Sequence, residues 1–418
     1  MSFFEFRGGT LHAEDVALTD IAERFGTPCY VYARAAFEHQ WRTLDQAFGK
    51  HPHSICYAVK ANSNIAVMNL LARLGSGFDI VSAGELHRVL LAKGDPSKVV
   101  FSGVAKSINE IRYVLNNGVR NINIESSAEL RRLQSVAAEL DIKTKIAIRV
   151  NPDVDADTHP YIATGLENSK FGITMDAALE VYQQAEEMSH IQVHGIACHI
   201  GSQITKLSPF ADSLRLLIDL VEQLSDRGID IAQLDIGGGL GIDIQDQLAP
   251  SAQDYVSTLL SVLHARKVTL PISIEPGRFI AGNSGVLLSR VEYIKHNASK
   301  SFVVVDAGMN DLLRPSLYQA HHDIVNVKQQ SSNARALYDV VGPVCESSDV
   351  LGRDRWLNVG ADDLLVMCSA GAYSFSMSSN YNSRRRPAEV MVDGSKIHLV
   401  RERETYQDLT RGETILPN

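Results

Sequence analysis

Cysteine is scarce in this chain: Cys29, Cys56, Cys198, Cys345 and Cys368 are the only five among 418 residues. They are odd in number, widely spaced and form no C-x-x-C pair, so neither a disulfide framework nor a zinc cluster is indicated, and a reducing, cytoplasmic setting fits. Long apolar runs are also missing. No window approaches the roughly 18 apolar residues of a membrane span, and residues 1–20, which carry Glu5, Glu14, Asp15 and Asp20, lack the pattern of a targeting segment. Nor is there an excess of positive charge. Lys and Arg number 40 against 49 Asp and Glu, a net charge of -9, so no global basic field exists to attract nucleic acid or anionic lipid. The one concentrated basic run, Arg384-Arg385-Arg386, follows a Ser/Asn-rich segment and reads as a solvated loop. Low-complexity linkers and short-period repeats are absent too. A soluble protein with no metal, nucleic-acid or membrane partner is expected.

What is present is an ordinary globular composition, 45% hydrophobic and 21% charged, in a chain long enough for two domains. Between residues 54 and 278 one unit recurs, a short β-rich run ending in small or polar residues and then a helix-length amphipathic stretch. The runs are Ser54–Lys60, Phe78–Ser82, Val99–Ser102, Asn121–Glu125, Lys145–Val150, Val193–His199, Gln233–Gly237 and Pro271–Glu275. Such alternation predicts parallel pairing through right-handed crossovers, and eight units match a (β/α)8 TIM-like barrel, with an open doubly wound sheet as the competitor. Successive strand residues point to opposite faces. Ile55, Tyr57 and Val59 therefore oppose Ser54, Cys56, Ala58 and Lys60, while Ile272 and Ile274 oppose Ser273 and Glu275. Strand six is expected to set Val193, Gly195, Ala197 and His199 on one face. The aliphatic faces would pack on the helices, leaving Lys60, Asp79, Arg149, His199 and Glu275 inside, near the C-terminal strand ends where barrel enzymes keep their active sites. Ionisable groups there are costly unless paired or bound to a polar ligand, so a salt-bridge network competes with a cofactor site. After Ile280 the pattern turns to β-segments without long helices. The expected division is a barrel over 27–280 and a mainly antiparallel β-domain from 1–26 and 281–418.

Lys60 ends a buried strand, where desolvation would favour the neutral, nucleophilic amine suited to Schiff-base chemistry; a lone strand-end lysine is otherwise a snorkelling surface residue. Gly237-Gly238-Gly239-Leu240-Gly241 follows strand seven. Its bare amides can approach a phosphate, although it does not spell G-x-G-x-x-G and, taken alone, is better explained as a tight turn. Glu275-Pro276-Gly277-Arg278 ends strand eight, beside strand seven in a closed barrel, where phosphate is often bound. Phosphate anchors, an amine and a carboxylate in one mouth match what pyridoxal phosphate needs, with Glu275 keeping the pyridine nitrogen protonated. His199 either lies flat on the ring or is a hydrogen-bonded core residue.

With these residues the chain resembles the fold type III pyridoxal-phosphate-dependent decarboxylases, whose two-domain plan is that of alanine racemase. The motifs are Tyr57-Ala58-Val59-Lys60-Ala61-Asn62, His199-Ile200-Gly201-Ser202-Gln203, Gly237-Gly238-Gly239, Glu275-Pro276-Gly277-Arg278, Gly342-Pro343-Val344-Cys345-Glu346-Ser347-Ser348-Asp349 and Ala370-Gly371-Ala372-Tyr373. The resemblance implies pyridoxal 5'-phosphate carried by Lys60 and stacked under His199. Ser202, Gly238, Gly239, Gly277 and Arg278 would hold the phosphate, Glu275 the ring nitrogen, and Asp79 and Arg149 would support them. Arg278, Arg314 and Tyr318 would contact the substrate, and Tyr373 both the phosphate and the substrate. By the same resemblance Cys345 protonates the carbanion and Glu346 binds the distal amino group, both reaching into a partner subunit's barrel, so a homodimer with shared sites is implied. Without it, Cys345 reads as a small buried hydrophobe. Glu346, with Arg314 for a second carboxylate, implies decarboxylation of meso-2,6-diaminopimelate to L-lysine. Decarboxylases of D-lysine, D-ornithine, L-ornithine or L-arginine, and a non-catalytic regulatory relative, are the alternatives.

Overall fold

The structure, a computed structural model, describes residues 3–155, 170–244, 248–329 and 335–417. By internal contacts the chain forms two compact units, Glu38–Ile280 and a second made of Met1–Phe37 with Ala281–Asn418.

The first unit is the barrel. Its strands are β1 His53–Ala58, β2 Gly77–Ile80, β3 Val99–Phe101, β4 Asn121–Ile124, β5 Thr144–Asn151, β6 Ile191–Ala197, β7 Gln233–Asp235 and β8 Ile272–Ile274. Each pairs in parallel with the next, and β8 returns to β1 through Ile272↔His53, Ser273↔Ser54 and Ile274↔Ile55, which closes the ring. The competing open sheet is thereby excluded. Local sequence chemistry starts the surrounding helices. Ser82, Ser107, Ser126 and Ser251 each accept a backbone N–H from the third residue on, Glu85, Glu110, Glu129 and Asp254, and Ser107 with Glu110 completes a reciprocal capping box. The aliphatic strand residues Ile55, Ile146, Ile148, Leu234, Ile236, Ile272 and Ile274 are all buried, as their alternation predicts.

One parity expectation fails. In β6 a register shift falls between Val193 and Gly195, so that Val193 stands beside Ile146 and Gly195 beside Ala147. The bulge at His194 puts Val193 on the opposite face from Gly195 and Ala197.

The second unit is built on one sheet ordered Val350–Leu357, Ala336–Val341, Ser301–Val305, Gly285–His296, Cys29–Ala33, Ala388–Asp393 and Lys396–Arg401, with Leu364–Met367 also on Gly285–His296. Most pairings are antiparallel; Cys29–Ala33 lies parallel to Ala388–Asp393. Its core joins Leu18, Ile21 and Val31 to Val286, Leu288, Val366, Val390 and Val392. Cys29–Ala33, which the expected border at residue 27 gives to the barrel, pairs with Gly285–His296 and Ala388–Asp393 of this sheet. The Arg384-Arg385-Arg386 run is also better anchored than a solvated loop. Arg384 donates to the Asp306 carbonyl at 2.6 Å, Arg385 sits 4.7 Å over the Tyr406 ring, and Arg386 reaches Glu404 at 3.4 Å.

Candidate active site

At the C-terminal ends of the barrel strands a cavity of about 420 Å³ is lined by Lys60, Ser102, Asn123, Arg149, Phe171, His199 and Glu275, among others. The strand ends place these groups. Strand β1 gives way to a short 3-10 turn, Val59–Ala61, which carries Lys60 just beyond the last paired residue. Lys60 Nζ lies 2.9 Å from Asp79 Oδ2 at the end of β2, and its side chain is 36% exposed while that of Asp79 is fully buried. The expected desolvated, neutral amine is thus an ion pair here. The other Asp79 oxygen, Oδ1, is buried without a partner among the described residues.

Two more carboxylates converge on the same floor. Asn123 Nδ2 stands 3.4 Å from both Asp235 Oδ2 and Glu275 Oε1, and the Gly237 amide donates to Asp235 Oδ1 at 2.9 Å. Burial, with Asp235 and Asp79 close by, pushes the Glu275 carboxyl well above the usual range. Burial likewise lifts Asp235 to about 6. Burial and the neighbouring carboxylates disfavour a charged Glu275, and a cationic group placed against it would offset that cost.

Arg149 is held directly by Glu125, whose second oxygen is itself anchored to the backbone. It donates to Glu125 Oε1 at 2.8 Å, Glu125 Oε2 accepts the Gly172 amide at 2.7 Å, and the guanidinium lies 4.7 Å over Phe171. Burial, then Arg149 and Lys60, hold the His199 imidazole well below its ordinary value. The Gly238 amide donates to its Nδ1 at 3.0 Å, so that nitrogen carries no proton and the ring is neutral.

The glycine run needs its glycines. A Cβ on Gly238 would lie 2.3 Å from the Glu275 carbonyl oxygen, and Gly239 has φ +113° with a Cβ site 2.6 Å from the Gly201 oxygen. A tight turn and a phosphate cradle are therefore compatible readings of one loop. Arg278 NH2 donates to Ser202 Oγ at 3.1 Å, which joins two of the expected phosphate ligands. The site's groups fit pyridoxal phosphate: an amine, a buried carboxyl, a neutral imidazole and side-chain-free amides in one cavity.

The remaining predicted residues belong to the β-rich unit. Arg314 opens the helix Arg314–Tyr318 and is buried, with NH1 3.1 Å from His322 Nε2, while His322 Nδ1 donates to the Cys368 carbonyl at 2.8 Å. Tyr318 is half-buried at the end of that helix. Cys345 and Glu346 are exposed, not buried as a structural cysteine would be. Their loop is clamped from behind by Asp349, whose carboxylate accepts the Val344 amide at 2.7 Å and the Met309 amide at 2.6 Å. Asn382 Oδ1 accepts the Cys345 amide at 2.8 Å, and Tyr381 OH donates to Glu346. Tyr373 follows Gly371, where a Cβ would meet the Ala281 oxygen at 1.9 Å, and itself adopts φ +55°.

Motif reading missed Asp235, Asn123, Glu125 and the buried pair Lys106–Glu129, whose atoms lie 2.6 Å apart.

Comparison with known proteins adds to this geometry. Residues 34–282 match the family model "Pyridoxal-dependent decarboxylase, pyridoxal binding domain". The diaminopimelate decarboxylase of Pseudomonas aeruginosa is 55% identical over 417 residues, covering 100% of both chains. The structure of diaminopimelate decarboxylase from Helicobacter pylori complexed with L-lysine superposes with a TM-score of 0.90 at 40% identity, over 94% of this chain and 98% of that one. That of the M. jannaschii enzyme in co-complex with L-lysine gives 0.94 at 37% identity, over 99% and 98%.

Proposed function

This chain belongs to the pyridoxal-dependent decarboxylases, in the diaminopimelate decarboxylase branch, and from that premise we propose that it converts meso-2,6-diaminopimelate to L-lysine and carbon dioxide. Lysine biosynthesis ends on this reaction, and the cytoplasm, which keeps the five cysteines as thiols, is the proposed location.

When bound, pyridoxal phosphate supplies a sink for the electron pair that carbon dioxide leaves behind. The chain's own groups do the rest. Lys60 Nζ is the tethering amine, and Asp79 orients it through the 2.9 Å contact. Glu275 keeps a proton at the pyridine nitrogen, with Asp235 and Asn123 fixing its carboxyl. His199, neutral and locked by the Gly238 amide, offers a flat uncharged face. Ser202, Gly238, Gly239, Gly277 and Arg278 hold the phosphate, and Arg149 steadies the wall beneath His199.

Arg278, Arg314, Tyr318 and Tyr373 grip the substrate, the arginines being matched to its two carboxylates. Glu346 takes the distal ammonium. Cys345 holds a proton at Sγ and delivers it to the carbon that lost its carboxylate. Cys345 and Glu346 are proposed to serve the site of a partner subunit, so that the active form is a homodimer. Their exposure on a loop anchored from behind by Asp349 supports this.

The observation that carries the proposal is the convergence of Lys60 and three buried carboxylates on one strand-end cavity, since a buried acid cluster with a single amine calls for a further cation. Carbon dioxide release measured on meso-diaminopimelate, L-lysine, D-lysine, L-ornithine and L-arginine tests the substrate. Preference for a monocarboxylic amino acid refutes the assignment, and borohydride treatment that leaves no pyridoxyl adduct on Lys60 refutes the site.

A further inference from the structure

A second cavity, of about 470 Å³, lies wholly within the β-rich unit and has no part in the proposed reaction. Its walls include Ser316, Gln319, His321, Arg353 and Arg355, and no aspartate or glutamate lines it among the described residues. In a chain of net charge -9 that is an unusual lining.

Arg355 is the telling residue. It is half-buried and has no carboxylate within ion-pair distance among the described residues. Its NH1 and NH2 face His321 Nε2 and Nδ1 at 3.0 and 2.9 Å, and NH2 also meets the His322 carbonyl at 3.1 Å. A neutral imidazole has one lone pair for such donors, and a protonated one has none. His321 Nε2 also lies 2.9 Å from Asp323 Oδ1, so the tautomer that satisfies Asp323 leaves Arg355 NH1 pointing at an N–H. Arg355 Nε is buried with no hydrogen-bond partner among the described residues. At least one guanidinium donor is therefore unsatisfied in either tautomer, beside open space. Arg353 is loosely held nearby, 3.5 Å from an Asp339 oxygen that Lys300 already approaches at 2.7 Å.

We infer that this cavity is an anion site, built for a small dianion bearing a phosphate or paired carboxylates, with Arg355 as the bidentate anchor and Arg353 as the second cation. Ser316 and Gln319 tie it to the helix Arg314–Tyr318. If the substrate roles proposed above hold, an occupied site changes KM for the amino acid while leaving kcat in place.

Inorganic phosphate is the probe, titrated by calorimetry into the cofactor-loaded protein, whose own phosphate cradle is filled; malonate in a parallel series distinguishes carboxylate from phosphate. Saturable binding is expected for at least one of the two, weakened roughly ten- to a hundredfold by Arg355→Met, as expected when charge-assisted hydrogen bonds are lost. Arg353→Ala, at an exposed position, should weaken it severalfold with the melting temperature unchanged, and Arg278→Met should leave it intact. Absence of saturable binding of both anions overturns the inference. So does binding that survives both the Arg353 and Arg355 changes, or that vanishes with Arg278→Met, which would place the anion in the substrate site. A carboxylate from a second copy of the chain is the competing occupant; it would leave the wild type refractory to both anions, and self-association would weaken in Arg355→Met.

Discussion

Burying Asp235 and Glu275 side by side makes the proposed cofactor pocket sensitive to protons before any substrate arrives. Folding raises the Asp235 carboxyl to about 6 and Glu275 well above its ordinary range, so the folded chain retains protons that the unfolded chain has released. The associated stability is full below about pH 4, the unfolded carboxylate range, and is lost as pH rises through the folded values. Thermal melts of the cofactor-free protein should therefore fall by a few degrees between pH 5 and 7.5, and the fall should shrink in Glu275→Gln; equal slopes would remove Glu275 from the effect. Gly238→Ala meets a backbone oxygen at 2.3 Å, not a movable side-chain tip. It is expected to shift the loop that holds His199 and is proposed to hold the phosphate, weakening cofactor affinity at least tenfold as read by absorbance titration. At this scale the sequence was informative where a motif coincided with a strand end, as at Lys60, His199 and Glu275. Asp235 and Asn123 escaped because their importance lies in a three-way contact among β4, β7 and β8 that no local spacing encodes.

Among elements, the βα turns carry a clear sequence signature, since Ser-x-x-Glu opens the helices that start after Ser82, Ser107 and Ser126, and Ser-x-x-Asp the one after Ser251. The buried pair behind them does not. Lys106 Nζ bonds Glu129 at 2.6 Å, the Asn123 carbonyl at 2.6 Å and the Gly103 carbonyl at 2.7 Å, bridging the ends of β3 and β4. Lys106→Met leaves Glu129 and two carbonyls without their donor and should destabilise the barrel by about 3–5 kcal/mol. Adding Glu129→Gln should restore part of the loss, as measured by urea midpoints; no recovery would mean that the carbonyl contacts dominate. The strands legible from sequence were those with alternating Ile and Val. Val350–Leu357 was not, because Gly352, Arg353, Asp354 and Arg355 interrupt its pattern. Cys29–Ala33 is buried on both faces, which erases alternation altogether.

For the molecule as a whole, the proposed sharing of sites between subunits gives a distinct prediction. Lys60→Ala and Cys345→Ala chains, each inactive alone, should recover up to about a quarter of wild-type activity when mixed and allowed to exchange subunits, because random pairing makes about half the dimers hybrid and each hybrid retains one intact site. No recovery after exchange verified by mass spectrometry would confine each site to a single chain. The two-domain plan was readable from the change of pattern after Ile280, whereas its N-terminal border was not, since strand membership depends on partners more than 250 residues away: Cys29 pairs with Leu288 and Ala388.

That same placement of Cys29–Ala33 orders events on the ribosome. All its neighbours, Gly285–His296 on one side and Ala388–Asp393 on the other, are translated after the barrel is complete. The barrel can close while its leading strand waits unpaired, an adhesive edge exposed during the synthesis of more than a hundred further residues. Nascent chains stalled shortly after residue 280 should accordingly recruit chaperones and aggregate when released, and those extended past Asp393 should not.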